Sequence, residues 1–542
     1  MVNGNELWGE KCVSNIITKT ISGKREICTY LNIPDSLYHS LQRTAKAYPD
    51  KTGIVDNYGR SYTFEGLMQR TEELAAYLHC DRGVGPGSHV GLMMYNCVEF
   101  CIGLLAVSRL GAAAVPLPSK FRRPEVLSLA RKADVSLVVC DGDFAEWFRE
   151  EYTDRQILAV RQIEKQYGYN ECLSSWRDRE KDLQSLRQVP AGDSMTPALI
   201  MFTSGTTSKS KGVLLKNYNI MHAAETYRRT LEITAEDISV IATPIYHITG
   251  IVALFGLFIL TGGTLYLHKF FDAGRVVEDA RKYGFTFIHA SPTVFALLIE
   301  AGRGTPEIPG LVSFACGSSN MLKEKILQLH RWLPNSKFHT VYGLTETSSP
   351  AAIFPEDAAS SEYIGSSGLP VPGTKFKIVD EEGRELPAGS VGEILISGSV
   401  VLESYYKQED ASLKEGWLHT GDLGCFNEGG YLFVVDRIKN MINRGGEKIW
   451  CFDLENEIAA IPGILDAAVV GIPDELYGEA AAAVVVQEPG SHLTEKDILE
   501  HLISRIAKYK IPARIRIMDR IPQTANGKTD KIRIKEILME EL

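Results

Sequence analysis

Between about Asp35 and Leu298 the apolar residues follow alternating rhythms. Spacings of three and four predict helices over Leu41 to Tyr48, Phe64 to Leu78, Phe100 to Leu110 and Val126 to Ala133. Short continuous apolar runs predict strands at His89 to Met93, Ala113 to Pro116 and Ser136 to Cys140. Strands that alternate with helices imply parallel sheets with helices on their faces, an α/β fold. From about Ile364 to Val435 the texture changes to short strands and Gly or Pro turns, with Lys375 to Val379, a turn at Gly383 and Arg384, and Glu393 to Ile396. A small antiparallel barrel or sheet is expected there. After Asp436 comes a compact α+β unit, with helices near Asp453 to Ala460 and Glu495 to Ala507 and strands at Ala467 to Gly471 and Ala480 to Gln487.

One apolar stretch calls for a decision. Ile248 to Leu267 is twenty residues without a charge, long enough in principle to cross a bilayer. Gly250, Gly256, Thr261, Gly262 and Gly263 divide it into helix, turn and strand lengths, so the expectation is a buried helix and strand rather than a transmembrane span. Composition agrees: 44% hydrophobic and 23% charged residues in 542 suit a soluble globular chain with several cores. A net charge of −10 without a block of like charge argues against a nucleic-acid surface or a polybasic membrane contact. The 10 cysteines form no C-x-x-C pair, and Met1 to Lys24 lacks the uninterrupted apolar centre of a secretory signal, so a reducing, cytoplasmic location is expected.

Chemistry concentrates in a few segments. Ala198 to Phe202 reads as a strand, Thr203-Ser-Gly-Thr-Thr-Ser-Lys-Ser-Lys-Gly212 as a loop, and Val213 to Lys216 as a second strand. Small hydroxylated residues and glycine offer hydroxyl and N–H donors to phosphate oxygens, and Lys211 adds a positive charge. No Gly-Lys-[ST] follows Gly205 at the spacing of the nucleotide hydrolases' phosphate loop. On composition alone a flexible Ser/Thr/Gly linker is an equal reading. Thr340-Val-Tyr-Gly-Leu-Thr-Glu346, Trp417-Leu-His-Thr-Gly-Asp422, Asp436-Arg-Ile-Lys439 and Pro522-Gln-Thr-Ala-Asn-Gly-Lys528 follow in that order. Taken singly, each reads as a turn, a surface salt bridge or a solvated terminal lysine.

Together, in order and spacing, these segments resemble the acyl-adenylate-forming superfamily of acyl-CoA synthetases, adenylation domains and beetle luciferases, from about Ser36 to Lys531. The signature loop TSGTTGxPKG stands here as Thr203 to Gly212, with Ser208 in the glycine place and Ser210 in the proline place. The resemblance implies an N-terminal extension over 1–34 and an AMP-binding domain over 35–438, built of two βα-layered subdomains and a small β-barrel. A small mobile α+β domain over 439–542 completes the chain. It implies that Thr203, Ser204, Gly205, Thr206, Thr207 and Lys211 surround phosphates. Tyr342 stacks on adenine beside Gly343, Thr345 touches the α-phosphate and Glu346 helps hold Mg2+. Asp422 and Arg437 reach the ribose, Lys439 is the hinge, and Lys528 neutralises charge as the acyl-adenylate forms. Thr340 occupies the place where many members carry Asn or Gln.

The implied activity is that of an ATP-dependent acid:CoA ligase. An organic acid becomes acyl-AMP with release of pyrophosphate, and a thiol then expels AMP. Gly445 and Gly446, otherwise a hairpin turn, would border the pantetheine tunnel in that second pose. A stand-alone enzyme loading a carrier-protein thiol is the alternative, and a homo-oligomer is left open. Pro244-Ile-Tyr-His-Ile-Thr-Gly250 resembles the family's P-x-[FY]-H-x-x-G, whose histidine borders the acyl site and gates thiol access. The expected acyl walls are Tyr246, His247, Thr249, Gly317, Ser318, Gly343 and Leu344. No acidic residue lies between Thr243 and Ile259 to meet an ammonium, and no Arg or Lys is among the walls. An uncharged aromatic or medium-length aliphatic acid is therefore expected.

Overall fold

The structure is a computed structural model that describes residues 1–21, 25–57, 59–160, 180–202, 210–524 and 528–540. Two sheets carry the large N-terminal part. In one, the strands Pro197–Phe202, Ala113–Pro116, His89–Met93, Leu137–Asp141 and Ile157–Val160 run parallel side by side, with the antiparallel strands Gly212–Lys216 and Ser404–Tyr405 at one edge. In the other, Lys337–Tyr342, Ser313–Cys316, Phe287–Ala290, Ile238–Ile241, Thr264–Leu267 and Thr52–Val55 are parallel neighbours. Both sheets are covered by helices, and the strands are buried on both faces, as continuous apolar runs require.

The apolar stretch around residue 250 divides as its glycines suggest. A π-helical turn over Thr249–Gly256 leads into the helix Leu257–Thr261, left-handed Gly262 ends it, and the strand Thr264–Leu267 follows. A Cβ at Gly263 would lie 2.7 Å from the Phe258 ring, which explains the second glycine of that turn. Among the described residues no helix is long and apolar enough to cross a membrane.

The Gly and Pro rich stretch forms an antiparallel sheet rather than a closed barrel among the described residues, with Thr374–Val379, Gly392–Gly398, Trp417–Phe426, Leu413–Lys414 and Leu432–Arg437. Val2–Asn3 pairs along its edge strand Thr374–Val379. Further on, the hairpin Ile16–Ile21 with Arg25–Tyr30 lies over the helix Asn217–Thr230. There the Tyr30 ring stacks on His222 at 4.8 Å, and the Arg229 guanidinium stands 4.3 Å from the Tyr30 centroid. Arg25 donates to the carbonyls of Leu402 and Gly398, and Trp8 to that of Pro370. The first thirty residues are thus built into the large part of the molecule.

After residue 440 the chain forms its own sheet from Glu447–Ile449, Ile442–Arg444, Gly478–Gln487, Ile464–Asp474 and Arg514–Ile517. The helices Cys451–Ala459, Glu495–Ile503 and Lys531–Met539 pack on it and enclose separate apolar cores.

Candidate active site

The site forms where parallel strands end. Phe287–Ala290, Ser313–Cys316 and Lys337–Tyr342 run in register, and the chain leaves the last two through Gly317 and Gly343. Ligands in open α/β folds bind in the crevice beyond these carboxyl ends. Gly343 has a steric reason, since a Cβ there would lie 1.5 Å from the carbonyl oxygen of Ser349. That close approach folds the loop back into the short helix Thr345–Thr347, which Leu344 N–H caps by donating to Thr347 Oγ1 at 2.8 Å. Glu346 is thereby presented from a fixed turn, and its own carbonyl accepts the Leu402 N–H.

Tyr342 and Asp422 meet although the chain separates them by 80 residues: Tyr342 Oη donates to Asp422 Oδ2 at 2.8 Å. Asp422 stands opposite Arg437 in the antiparallel pairing of Trp417–Phe426 with Leu432–Arg437, so strand register alone brings the guanidinium Nε to 3.0 Å from Asp422 Oδ1. Burial pushes the Asp422 carboxyl up, against Arg437, Tyr342 and Lys528, which favour its charge. Burial also raises the Glu346 carboxyl, opposed by a hydrogen bond from Tyr405 Oη at 3.3 Å and by Lys211 and Arg437. Lys211 is paired with Asp410 at 2.6 Å and stands 5.2 Å from the Tyr405 ring centroid.

Lys528 reaches this group from the C-terminal unit. The residue keeps exposed surface, yet its ammonium is crowded. Burial and then Arg437 hold its pKa below that of an ordinary lysine, against the pull of Asp422 and Glu346. Its charge also reaches His247, whose imidazole burial, Lys528 and Lys120 push down to about 3. His247 is therefore neutral at pH 7, and its Nε2 is buried with no hydrogen-bond partner. The Tyr246 ring lies 4.6 Å from it.

The structure thus gathers Tyr342, Glu346, Asp422, Arg437, Lys528, Lys211 and His247 through shared hydrogen bonds, ion pairs and mutual electrostatic effects. Gly343, Leu344 and Thr345 line the same loop. Tyr246 and Thr249 flank His247, Gly317 is buried at a strand end, and Ser318 is exposed with φ of 75°. Lys439 sits in the turn Ile438–Asn440, and its charge also disfavours the charged form of Lys528. Gly445 and Gly446 form an exposed hairpin tip, with Gly445 N–H bonded to the Tyr477 carbonyl, and do not join the group. Thr203, Ser204, Gly205, Thr206 and Thr207 lie outside the described residues.

Sequence reasoning missed several participants. Asp410 and Tyr405 hold Lys211 and Glu346, yet nothing local marks them. Lys120 brings a cation to His247 that the list of walls lacked. Buried Asn96 donates to the carbonyls of Ile241, Thr243 and His268 and accepts the Ile245 N–H at 2.7 Å, pinning the segment that carries Tyr246 and His247. Thr340 Oγ1 is buried without a partner beside the candidate adenine side.

Comparison with known proteins gives the family and the fold. The family profile described as AMP-binding enzyme matches residues 41–406, and that described as AMP-binding enzyme C-terminal domain matches residues 453–528. A feruloyl-CoA synthase of an Amycolatopsis species is 30% identical over 492 residues, covering 90% of this chain and 96% of that protein. An oxalate–CoA ligase of Arabidopsis thaliana is 30% identical over 516 residues, covering 94% and 99%. The solved structure of ATP-bound MatB from Rhodopseudomonas palustris superposes with a TM-score of 0.81 at 25% identity, covering 93% of this chain and 99% of that one. With the phosphate-loop segment, the tyrosine and glutamate turn and the paired Asp422 and Arg437 in this order on this fold, the chain belongs to the acyl-adenylate-forming superfamily of AMP-binding enzymes.

Proposed function

We propose that the chain is an AMP-forming acid:CoA ligase. The observation that carries the reading is the convergence of Lys528, from the C-terminal unit, on Glu346, Asp422 and Arg437 of the N-terminal part. Such a set suits a nucleotide whose α-phosphorus is attacked. The carboxylate of Asp422 has an oxygen for each hydroxyl of a vicinal diol, and Arg437 orients it. Tyr342 Oη, tied to Asp422, fixes the ring at the adenine side.

In the first half-reaction the acid's carboxylate oxygen bonds to the α-phosphorus of ATP, and the bond to the bridging oxygen of pyrophosphate breaks. Negative charge gathers on the phosphoryl oxygens, and Lys528 and Lys211 are placed to offset it. Glu346 suits Mg2+ carried with the nucleotide: it is a crowded carboxylate whose charged form burial disfavours, so a hard cation beside it is welcome. Among the described residues no cluster of His, Cys, Asp and Glu could hold a metal by itself, which fits an ion whose shell phosphoryl oxygens complete. Mg2+ there would neutralise the β- and γ-phosphates as they leave.

In the second half-reaction the unit beyond Lys439 turns, the CoA sulfur attacks the acyl carbon, and AMP leaves with the anhydride oxygen. Neutral His247, whose Nε2 has no hydrogen-bond partner, borders the acyl carbon in this reading and lets the uncharged pantetheine arm of CoA pass. The test is incubation with ATP, Mg2+ and a panel of carboxylic acids. Pyrophosphate released with acid alone and AMP released only on addition of CoA is the expected result. AMP release driven by a carrier protein and not by CoA, or no pyrophosphate from any acid, would refute it.

A further inference from the structure

Behind Gly317 and Gly343 lies a polar group that the reaction does not use. His289 belongs to the strand Phe287–Ala290 and is 3% exposed. Its neighbours across the sheet are Ala315 and then His339. Strand residues two apart share a face. Phe287, Ala315 and Val341 pack into the core that holds Tyr227, while Ile288, Phe314 and Phe338 pack into the opposite one. His289 therefore faces the side on which Gly317 and Gly343 leave the sheet. A Cβ built on Gly317 would lie 3.2 Å from Val341 O and 3.4 Å from His289 Cε1, so with glycine there no side chain stands between this strand end and the imidazole.

The imidazole is only half satisfied. Nε2 lies 3.5 Å from Tyr227 Oη, which is bonded to Ser349 Oγ at 2.9 Å. Nδ1 is buried and has no partner. Buried polar atoms are nearly always paired, and one that is not requires an account. Ser349 adds a further sign: it holds φ of 100°, a left-handed conformation costly for serine, directly beneath Gly343. Burial drives the His289 pKa down to about 3, so the ring is neutral and offers a hydrogen bond but no charge.

We propose that His289, supported by Tyr227 and Ser349, forms the floor of the acyl pocket and selects acids whose end remote from the carboxylate carries a neutral hydrogen-bonding group such as a hydroxyl or a ketone. The proposal rests on the ligase reading and adds a substrate class to it. A methyl in place of the hydroxyl leaves Nδ1 desolvated and unpaired, whereas an anionic tail gains no ion pair from a neutral ring. Sites built to bond a substrate hydroxyl reject the analogue lacking it far more strongly than apolar pockets reject a missing methylene.

The experiment measures pyrophosphate release with matched acids that differ only in the remote group. Hydroxyl, ketone, methyl and carboxylate ends are compared on phenylpropanoic acids and on straight chains of four to eight carbons. The expected result is a kcat/KM at least about tenfold higher for a hydroxyl or ketone than for the methyl isostere in one of the series. His289→Leu and Tyr227→Phe should each compress that ratio, by slowing the hydroxyl and ketone acids more than the methyl analogue. Should His289→Leu fail to fold, the wild-type ratio and Tyr227→Phe still decide. Acids activated without preference for the hydrogen-bonding end, or with preference for a second carboxylate, would overturn this proposal and leave the ligase intact. No pyrophosphate from any acid would end both.

Discussion

Replacing Lys528 by methionine keeps most of the side chain's length and removes its charge. Asp422 retains Arg437 at 3.0 Å and Tyr342 at 2.8 Å, so the surroundings of the nucleotide's sugar should be unchanged. What disappears is the cation that Asp422, Glu346 and His247 all sense, in a place crowded enough to lower its pKa. Loss of one preorganised charge-stabilising group commonly costs about 10²–10³ in rate, or about 2.7–4 kcal/mol. Lys528→Met should therefore slow acid-dependent exchange of pyrophosphate into ATP by about that factor, with little change in the KM for ATP. Thioester formation from supplied acyl-AMP and CoA should stay within about threefold of wild type if, as proposed, the C-terminal unit turns away in that half. The protonated lysine is the active form and its pKa is lowered, so wild-type adenylation should decline with rising pH before the ordinary lysine value of 10.5 is reached. Lys528→Arg, whose charge persists, should lack that alkaline limb. Equal losses in both half-reactions, or an unchanged alkaline limb in the arginine variant, would refute the role assigned to Lys528.

The remaining predictions concern the hinge, a loop and acid stability. Lys439→Pro stiffens the turn Ile438–Asn440 and should slow one half-reaction at least about tenfold while sparing the other, read by pyrophosphate exchange and by thioester formation from acyl-AMP. Gly343→Ala places a methyl where Ser349 O already lies, so the Thr345–Thr347 turn must shift; kcat/KM should fall at least about 10²-fold with a Tm loss of a few degrees. His222 is fully buried and held at a pKa of about 4 by burial, below the unfolded value of 6.5. A depressed folded pKa means that the unfolded chain takes up the proton first, so stability is complete above pH 6.5 and declines as the pH falls toward 4. By pH 5 this amounts to about 2 kcal/mol. The gap in denaturation free energy between wild type and His222→Gln should narrow by about that amount from pH 7 to pH 5, and an unchanged gap would show that His222 does not titrate on unfolding.

Periodicity along the chain determined which segments are strands and which are helices. His89–Met93 and Ala113–Pro116 end where their apolar runs end, and the glycines after Ile248 split an apolar stretch into helix and strand. These outcomes were legible because burial on a sheet or helix face is decided by residues two to four positions apart, which the sequence displays directly. The motif segments were legible only together, through their order and spacing along the chain, since each alone reads as a linker, a turn, a surface salt bridge or a solvated lysine.

Tertiary packing decided the rest. That Asp422 faces Arg437 follows from the register of an antiparallel pair, and that Lys211 rests on Asp410 follows from an edge strand far along the chain. Asn96 holds the His247 segment across 149 residues, and Arg25 reaches Leu402 across 377. Nothing within a few positions of Asn96, Asp410 or His289 distinguishes them from ordinary polar residues. Their importance comes from being enclosed, where an amide, carboxylate or imidazole must find a partner from whatever element arrives beside it. The neutrality of His247 and His289 has the same origin: it is a property of the crowd around each ring, which exists only after the sheets have closed.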